Sequence, residues 1–203
     1  LEMSWEDKIR FLSINSNIFD RVIVSTDDKE ISEISKKYGA EVPFFRSKKN
    51  SDDYASTIDV ILETLNQIEA KYEIVCCLYP TTPLLNKQIL RKAHERLISA
   101  NFSAVFSVLK YSFPIQRSLS LNEDGTCYMN WPENLNVRSQ DLKPVYHDAG
   151  QFYFCKIKEL YKHGTLYLPE SNCIILDDVE AQDIDNVSDW KIAEIKFKLN
   201  NAK

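Results

Sequence analysis

Two aspartates one residue apart, Asp183 and Asp185, stand in "AQDIDNVSDW" just ahead of a helical pattern. On an extended backbone both carboxylates point to the same side, about 6 to 7 Å apart by the rise per residue. Such a pair suits a hard divalent cation such as Mg2+, which takes one or two carboxylates and fills its other positions with phosphate and water. The same residues also read as a polar helix cap, with Asp185 ahead of Ser188 and Asp183 simply solvated. A second cluster, "YPTTPLL", contains Tyr79 and Thr81. Its prolines and threonines make a rigid turn and Asn86 caps the next helix, which accounts for the cluster without a ligand. Arg46, followed by "SKKNSDD", is a candidate anion ligand or a solvated loop cation. The densest cluster is "RSQDLKPVYHDAGQFYF". Arg138 presents a planar fork suited to a carboxylate or phosphate, Gln140 both donates and accepts, and His147 with Asp148 can read hydroxyl or amide groups. A solvated loop would also carry such residues. Here, however, the chain runs straight into "AGQFYF", a strand-like run that would hold them on rigid scaffold.

In open α/β sheets ligands gather at the carboxyl ends of strands. The elements that must position these clusters alternate accordingly. "DRVIVSTDD" is a β-branched strand, "KEISEISKKYG" a short helix stopped by Gly39, and a second strand follows. "STIDVILETLNQIEAKY" opens on Ser56 or Thr57 as N-cap and repeats apolar residues at Ile58, Ile61, Leu62, Leu65 and Ile68, the spacing of a core-facing helix. "EIVCCLY" reads as a strand buried on both faces, followed by a helix after Asn86 and the strand "SAVFSVLK". The alternation predicts one α/β domain over 1–203, with a mostly parallel sheet and helices on both faces. Between 111 and 144 the rhythm breaks. "IQRSLSLNEDGTCYMNW" predicts a hairpin in which Asp124 and Gly125 supply positive backbone angles. The parallel pattern resumes at "GQFYFCK", continues through "SNCIILDD", and ends in a helix capped by Ser188.

The 203 residues carry a net charge of −5, with acids and bases interleaved rather than blocked, which excludes a nucleic-acid partner. Apolar runs fall far short of the roughly 20 residues that span a bilayer, and no secretory leader is visible, so no membrane association and a cytoplasmic location are expected. Five cysteines, mostly in apolar runs and without zinc-site spacing, predict reduced thiols.

Taken in order, "FDRVIVSTDDKEISEISKKYGAEVPFFRS", "LYPTTPLL", "NVRSQDLKPVYHDAGQFYF" and "AQDIDNVSDWKIAE" resemble the acylneuraminate cytidylyltransferases, which activate nine-carbon 2-keto sugar acids as CMP conjugates. Within that family "SFPIQRSLSLNEDG", "RSQDL" and "YHDAGQFY" look most like the pseudaminic acid enzymes. The resemblance implies a Rossmann-like fold, CTP and a nonulosonic acid as substrates, and a homodimer joined by the 111–144 hairpin arm. It places Arg46, Ala55 and Thr57 at the cytosine and ribose of CTP, and Asp183 and Asp185 at catalytic magnesium. Tyr79, Thr81, Arg138, Gln140, Gln151 and Tyr153 fall on the sugar-acid side, with Arg138 anchoring the sugar carboxylate. His147 and Asp148 are expected to recognise substituents of the sugar. Sialic or legionaminic acid is the alternative substrate.

The family pattern opens on a strand and a glycine-rich basic loop that cradles the triphosphate, and these residues lack it. Instead "LEMSWEDKIRFLSINSNIFD" suggests a helix capped by Ser4, and the first glycine is Gly39. Two readings stay open: a chain shortened at its N terminus, or a non-catalytic relative that keeps the sugar pocket and the arm. The first, favoured because the metal and sugar motifs are intact, expects an open groove beside "RVIVSTD". The second expects "SWEDKIRFL" to pack over it.

Overall fold

In the computed structural model, residues 16–68 and 71–201 are described. The helix expected around Ser4, and whatever "SWEDKIRFL" packs on, lie outside them. Helix α1 (Lys29–Lys37) starts where Asp28 accepts from the Ile31 amide, and it stops before Gly39, whose φ of 85° only glycine adopts freely. Helix α2 (Thr57–Gln67) is capped by Ser56, which accepts from the Asp59 amide, and α3 (Lys87–Ser99) by Asn86, which accepts from Gln88 and Ile89. Strands β1 (Ile74–Leu78), β2 (Ala104–Lys110), β5 (Tyr146–Lys156) and β6 (Ser171–Leu176) form one sheet in the order β1-β5-β2-β6. Strands β3 (Leu119–Leu121) and β4 (Cys127–Met129) make a separate hairpin. Helix α4 (Ile157–His163) follows β5, and α5 (Val187–Asn201) closes the chain.

Two apolar layers sandwich the sheet, so the expected helices on both faces are present. On one face α3, through Leu90, Ala93 and Leu97, packs on Phe152 and Phe154 of β5. On the other, Ile61 and Leu65 of α2 and Leu160 of α4 pack on Tyr153 and Cys155, with Ile58, Leu62 and Ile68 alongside. The alternation along β5 thus divides its side chains between the two layers. No helix among the described residues is long and apolar enough to cross a membrane. The cysteines are free, as expected, although Cys127 on the hairpin is exposed rather than in a core.

The structure corrects five details. Strands β1, β2 and β6 share one direction, but β5 does not resume the parallel pattern: it is antiparallel to both neighbours. The chain leaves β2 at Lys110 and re-enters beside it at Tyr146, with the 111–145 arm between, and without a crossover helix a returning strand must run antiparallel. The "DRVIVSTDD" segment is extended but joins no strand. It makes a single parallel bridge, Ile23 with Glu41, backed by Arg21 gripping Glu41 through two bonds of 2.9 and 2.6 Å. Strand β1 is consequently an edge among the described residues, half-buried along its length rather than buried on both faces. In the hairpin Gly125 has φ of 83° as expected, but Asp124 is not among the positive-φ residues; its carboxylate accepts from the amide and hydroxyl of Thr126. Finally, α5 is capped by Asn186, which accepts from Ser188 and Asp189, and not by Ser188.

Candidate active site

Among the described residues a groove lies beside "RVIVSTD", and whether "SWEDKIRFL" packs over it falls outside them. A cavity of about 840 Å3 lies between residues 18–25 and the free edge of β1, and it runs to the carboxyl end of β1. There it is lined by Arg46, Ala55, Thr57 and Tyr79, so the residues matched to the nucleotide come together with one matched to the sugar. Each is placed by a local device. Arg46 is held where its amide bonds Thr26 O at 2.9 Å, and the loop after it is fixed by Glu63 of α2, which accepts from Ser47 N at 3.2 Å and Asn50 Nδ2 at 2.9 Å. Thr57 opens α2, and its hydroxyl lies 2.9 Å from the Tyr79 hydroxyl. Tyr79 continues β1, its amide bonded to Gln151 O. On the cavity wall, Arg46 Nε and Ser25 Oγ are buried without a partner. Desolvated polar atoms of this kind need a ligand or water to complete them. The guanidinium makes the wall attractive to an anion, its one ion pair among the described residues being a long one, to Asp27 at 3.9 Å.

The "YPTTPLL" turn divides between the two readings. Thr82 is structural, buried and donating to Tyr79 O at 2.8 Å, whereas Thr81 is exposed.

A large bulge brings the sugar-side residues to the centre of the sheet. Between the pairs Phe106–Tyr153 and Val108–Asp148, the single residue Ser107 on β2 faces 149–152 on β5. Bulges re-aim side chains, and this one sits at the end of β1 where Tyr79 meets Gln151. Gly150, with φ of 62°, makes the reversal. Tyr153, buried, donates to Asp148 Oδ2 at 2.5 Å; Tyr167, from the loop after α4, donates to the same oxygen at 2.6 Å; and the Gly150 amide donates to Oδ1 at 2.8 Å. Burial and then the Asp148 bond push the Tyr167 phenol up to about 12, and Tyr153 is pushed up further by the same causes in the same order. Rings of Tyr79, Phe106 and Tyr167 surround or extend the Tyr153 ring, with centroids 5.4 to 6.1 Å apart.

The remaining predicted residues fall in different surroundings. Gln151 is buried, its amide donating to Glu180 O at 3.0 Å, and its Oε1 has no partner. His147 is exposed, bonds Asp148 O at 2.8 Å and packs tilted against the Tyr111 ring. Gln140 is exposed, and Arg138 lies on the arm with its side chain 71% exposed and its fork closed on Asp141. Asp183 and Asp185 are both exposed. A Cβ on Gly150 would lie 3.8 Å from Asp183 Oδ1, which places that carboxylate against the bulge. Asp189 takes the amides of Asp185 and Asn186, turning the chain into α5. No group of three or more His, Cys, Asp or Glu able to hold a metal occurs among the described residues. Two hard carboxylates nonetheless fit magnesium, which draws most of its shell from phosphate and water. Sequence reasoning missed Tyr167, Phe106, Asn50 and Glu63. A lone aromatic in "HGTLYLP" and a mid-helix glutamate carry no local signal.

In fold the chain is similar to solved nucleotide-handling enzymes. Against 4-diphosphocytidyl-2C-methyl-D-erythritol synthase from Anaerococcus prevotii the TM-score is 0.66 at 12% identity, covering 96% of this chain and 88% of that one. Against CMP:2-keto-3-deoxy-manno-octonic acid synthetase, solved with CTP, it is 0.65 at 11% identity, covering 100% and 91%. A family model described as cytidylyltransferase matches residues 13–168, and the chain belongs to that family. It is 43% identical over 195 residues to the pseudaminic acid cytidylyltransferase of Campylobacter jejuni, covering 93% of this chain and 83% of the relative. The N-acylneuraminate cytidylyltransferase A of Danio rerio is 33% identical over 187 residues, covering 90% of this chain and 42% of that protein.

Proposed function

We propose that this cytidylyltransferase moves CMP from CTP to the anomeric hydroxyl of a nine-carbon 2-keto sugar acid, pseudaminic acid in preference to sialic or legionaminic acid, with release of pyrophosphate. The observation that carries the substrate is the 43% identity with the Campylobacter jejuni enzyme across 93% of the chain. The sugar's hydroxyl attacks the α-phosphorus in line, and pyrophosphate leaves. Little covalent work falls to the protein, so positioning and charge dominate. Arg46, Ala55 and Thr57 hold the cytidine end in the β1 cavity, and the unpartnered Arg46 Nε supplies a donor there. Asp183 and Asp185 would hold magnesium, which when bound would supply positive charge to the phosphates and the attacking oxygen. Arg138 exchanges Asp141 for the sugar carboxylate and so fixes the angle of attack, while Tyr79 and Tyr153 supply the wall against which the sugar lies. His147, at the mouth of the bulge, meets the sugar's substituents.

A homodimer belongs to this reading. In β3 the apolar residues Leu119 and Leu121 are 59% and 75% exposed while Ser120 between them is half-buried, the reverse of a strand packed on its own domain. A second copy covering that face brings its arm, and with it Arg138, to the site. The test is CTP turnover with each sugar acid, read as pyrophosphate and CMP conjugate. The proposal expects both products, fastest with pseudaminic acid; sugar binding without either product would favour a non-catalytic binding subunit.

A further inference from the structure

We propose that Asp148 is a positioning residue for sugar recognition: by taking the hydroxyl protons of Tyr153 and Tyr167 it leaves the exposed Tyr167 oxygen as an acceptor only, selecting sugar acids that present an amide N–H or hydroxyl donor there. The inference rests on the sugar-acid reading above and replaces direct contact by Asp148 with action through tyrosine.

The argument is one of hydrogen-bond accounting. A phenol has one proton to give. Tyr153 and Tyr167 both give theirs to Asp148 Oδ2, at 2.5 and 2.6 Å, while Oδ1 is taken by the Gly150 amide at 2.8 Å. With its oxygens already accepting three bonds, the carboxylate is engaged by the protein's own donors. Burial and Asp148 keep both phenols protonated well above neutrality, so the direction of these bonds does not change over a working pH range. Tyr153 is 4% exposed and rooted in β5; it holds Asp148. Tyr167 is 58% exposed, and Asp148 holds it. The three-residue excess of the bulge turns Asp148 toward these two rings, and one fewer or one more residue would send it to the opposite face. The wall so fixed continues through Tyr153 to Tyr79 on the nucleotide cavity, and Gly150 of the same bulge abuts Asp183. It therefore stands between the groups assigned to CTP and those assigned to metal, where the acceptor sugar must lie. Phe106, edge-on to Tyr167 at 5.4 Å, fixes the ring plane.

The experiment compares the wild-type chain with Asp148→Asn, Tyr167→Phe and the double variant, by calorimetric titration with pseudaminic acid and, separately, with CTP. Asparagine can donate to the phenol oxygens and free their protons, reversing the polarity of the wall. Each single variant should weaken sugar binding by about tenfold, the effect of one lost hydrogen bond, with CTP affinity within about twofold. The double variant should be no weaker than Asp148→Asn alone, because both changes remove the same contact. NMR of carbon-labelled tyrosine supplies a ligand-independent reading, in which Asp148→Asn should shift the Tyr153 and Tyr167 signals and no others. Additive losses, equal losses for sugar and CTP, or wild-type sugar binding by Tyr167→Phe would overturn the inference. If the wild type bound no sugar acid while the tyrosine signals still responded to Asp148→Asn, the substrate reading would fall and the inference with it, leaving the clamp as a structural device.

Discussion

Replacing Glu63 by Ala tests whether α2 organises the loop that carries Arg46. Glu63 accepts from Ser47 N and Asn50 Nδ2, and Asn50 is only 8% exposed. Its other bond, to Asp59 O, is long at 3.5 Å, so the substitution leaves a buried amide without an adequate acceptor. Such an orphan costs about 1–3 kcal/mol. At about 2–4 °C per kcal/mol for a chain of this size, the midpoint of the cost lowers Tm by roughly 4–8 °C. Glu63→Gln keeps one acceptor and should lose about half as much. The pH dependence has a definite sign. The bonds from Ser47 and then Asn50 hold the Glu63 carboxyl below its usual 4.5. A carboxyl lowered by folding contributes stability that is present above that unfolded value and lost as pH falls through the lower folded one. Scanning calorimetry from neutral to acid pH should therefore show the gap between wild type and Glu63→Gln closing below pH 4.5. A Tm for Glu63→Ala within about 1 °C of wild type, or a gap that stays constant into acid, would refute the reasoning.

The tyrosines predict the opposite edge of the pH range. Tyr167 rises from 10.0 to about 12 on folding, through burial and then Asp148, so its contribution is complete below pH 10 and disappears as pH approaches 12. Urea melts across that range should lose stability more steeply in wild type than in Tyr153→Phe/Tyr167→Phe; parallel curves would contradict the clamp. On the arm, Leu121→Asp should convert a dimer to a monomer in light scattering while leaving the thermal midpoint of the monomer within about 2 °C, the ordinary scale of an exposed substitution. A wild type already monomeric at tens of micromolar would remove the arm from the interface.

Features governed by nearest neighbours were readable from residue types. Asn86 and Ser56 cap their helices because short side-chain acceptors meet free amides one turn on, and Gly39 ends α1 because its φ of 85° suits no other residue as well. The apolar spacing of α2 located the layer it buries. What was not readable depends on partners distant in sequence. The direction of β5 follows from where the arm returns, beside Lys110, which no local pattern states. "RVIVS" has every mark of a strand, yet pairing needs a neighbour at about 4.8 Å, and between it and β1 lies a cavity. The candidate site divides in the same way. Arg46, Ala55, Thr57 and Tyr79 were placed by motif and do converge. The partners of Asp148 were not readable, because they are a buried strand tyrosine and a loop tyrosine, Tyr167, that belongs to no motif.

The most direct test of cytidylyl transfer is phosphorus NMR of the chain with CTP, magnesium and pseudaminic acid. The account predicts that the CTP signals are replaced by equal amounts of pyrophosphate and a sugar-linked CMP phosphodiester, and that Asp183→Asn with Asp185→Asn abolishes both. CTP left intact with every nonulosonic acid tried, or hydrolysed to free CMP with no sugar conjugate, would contradict it.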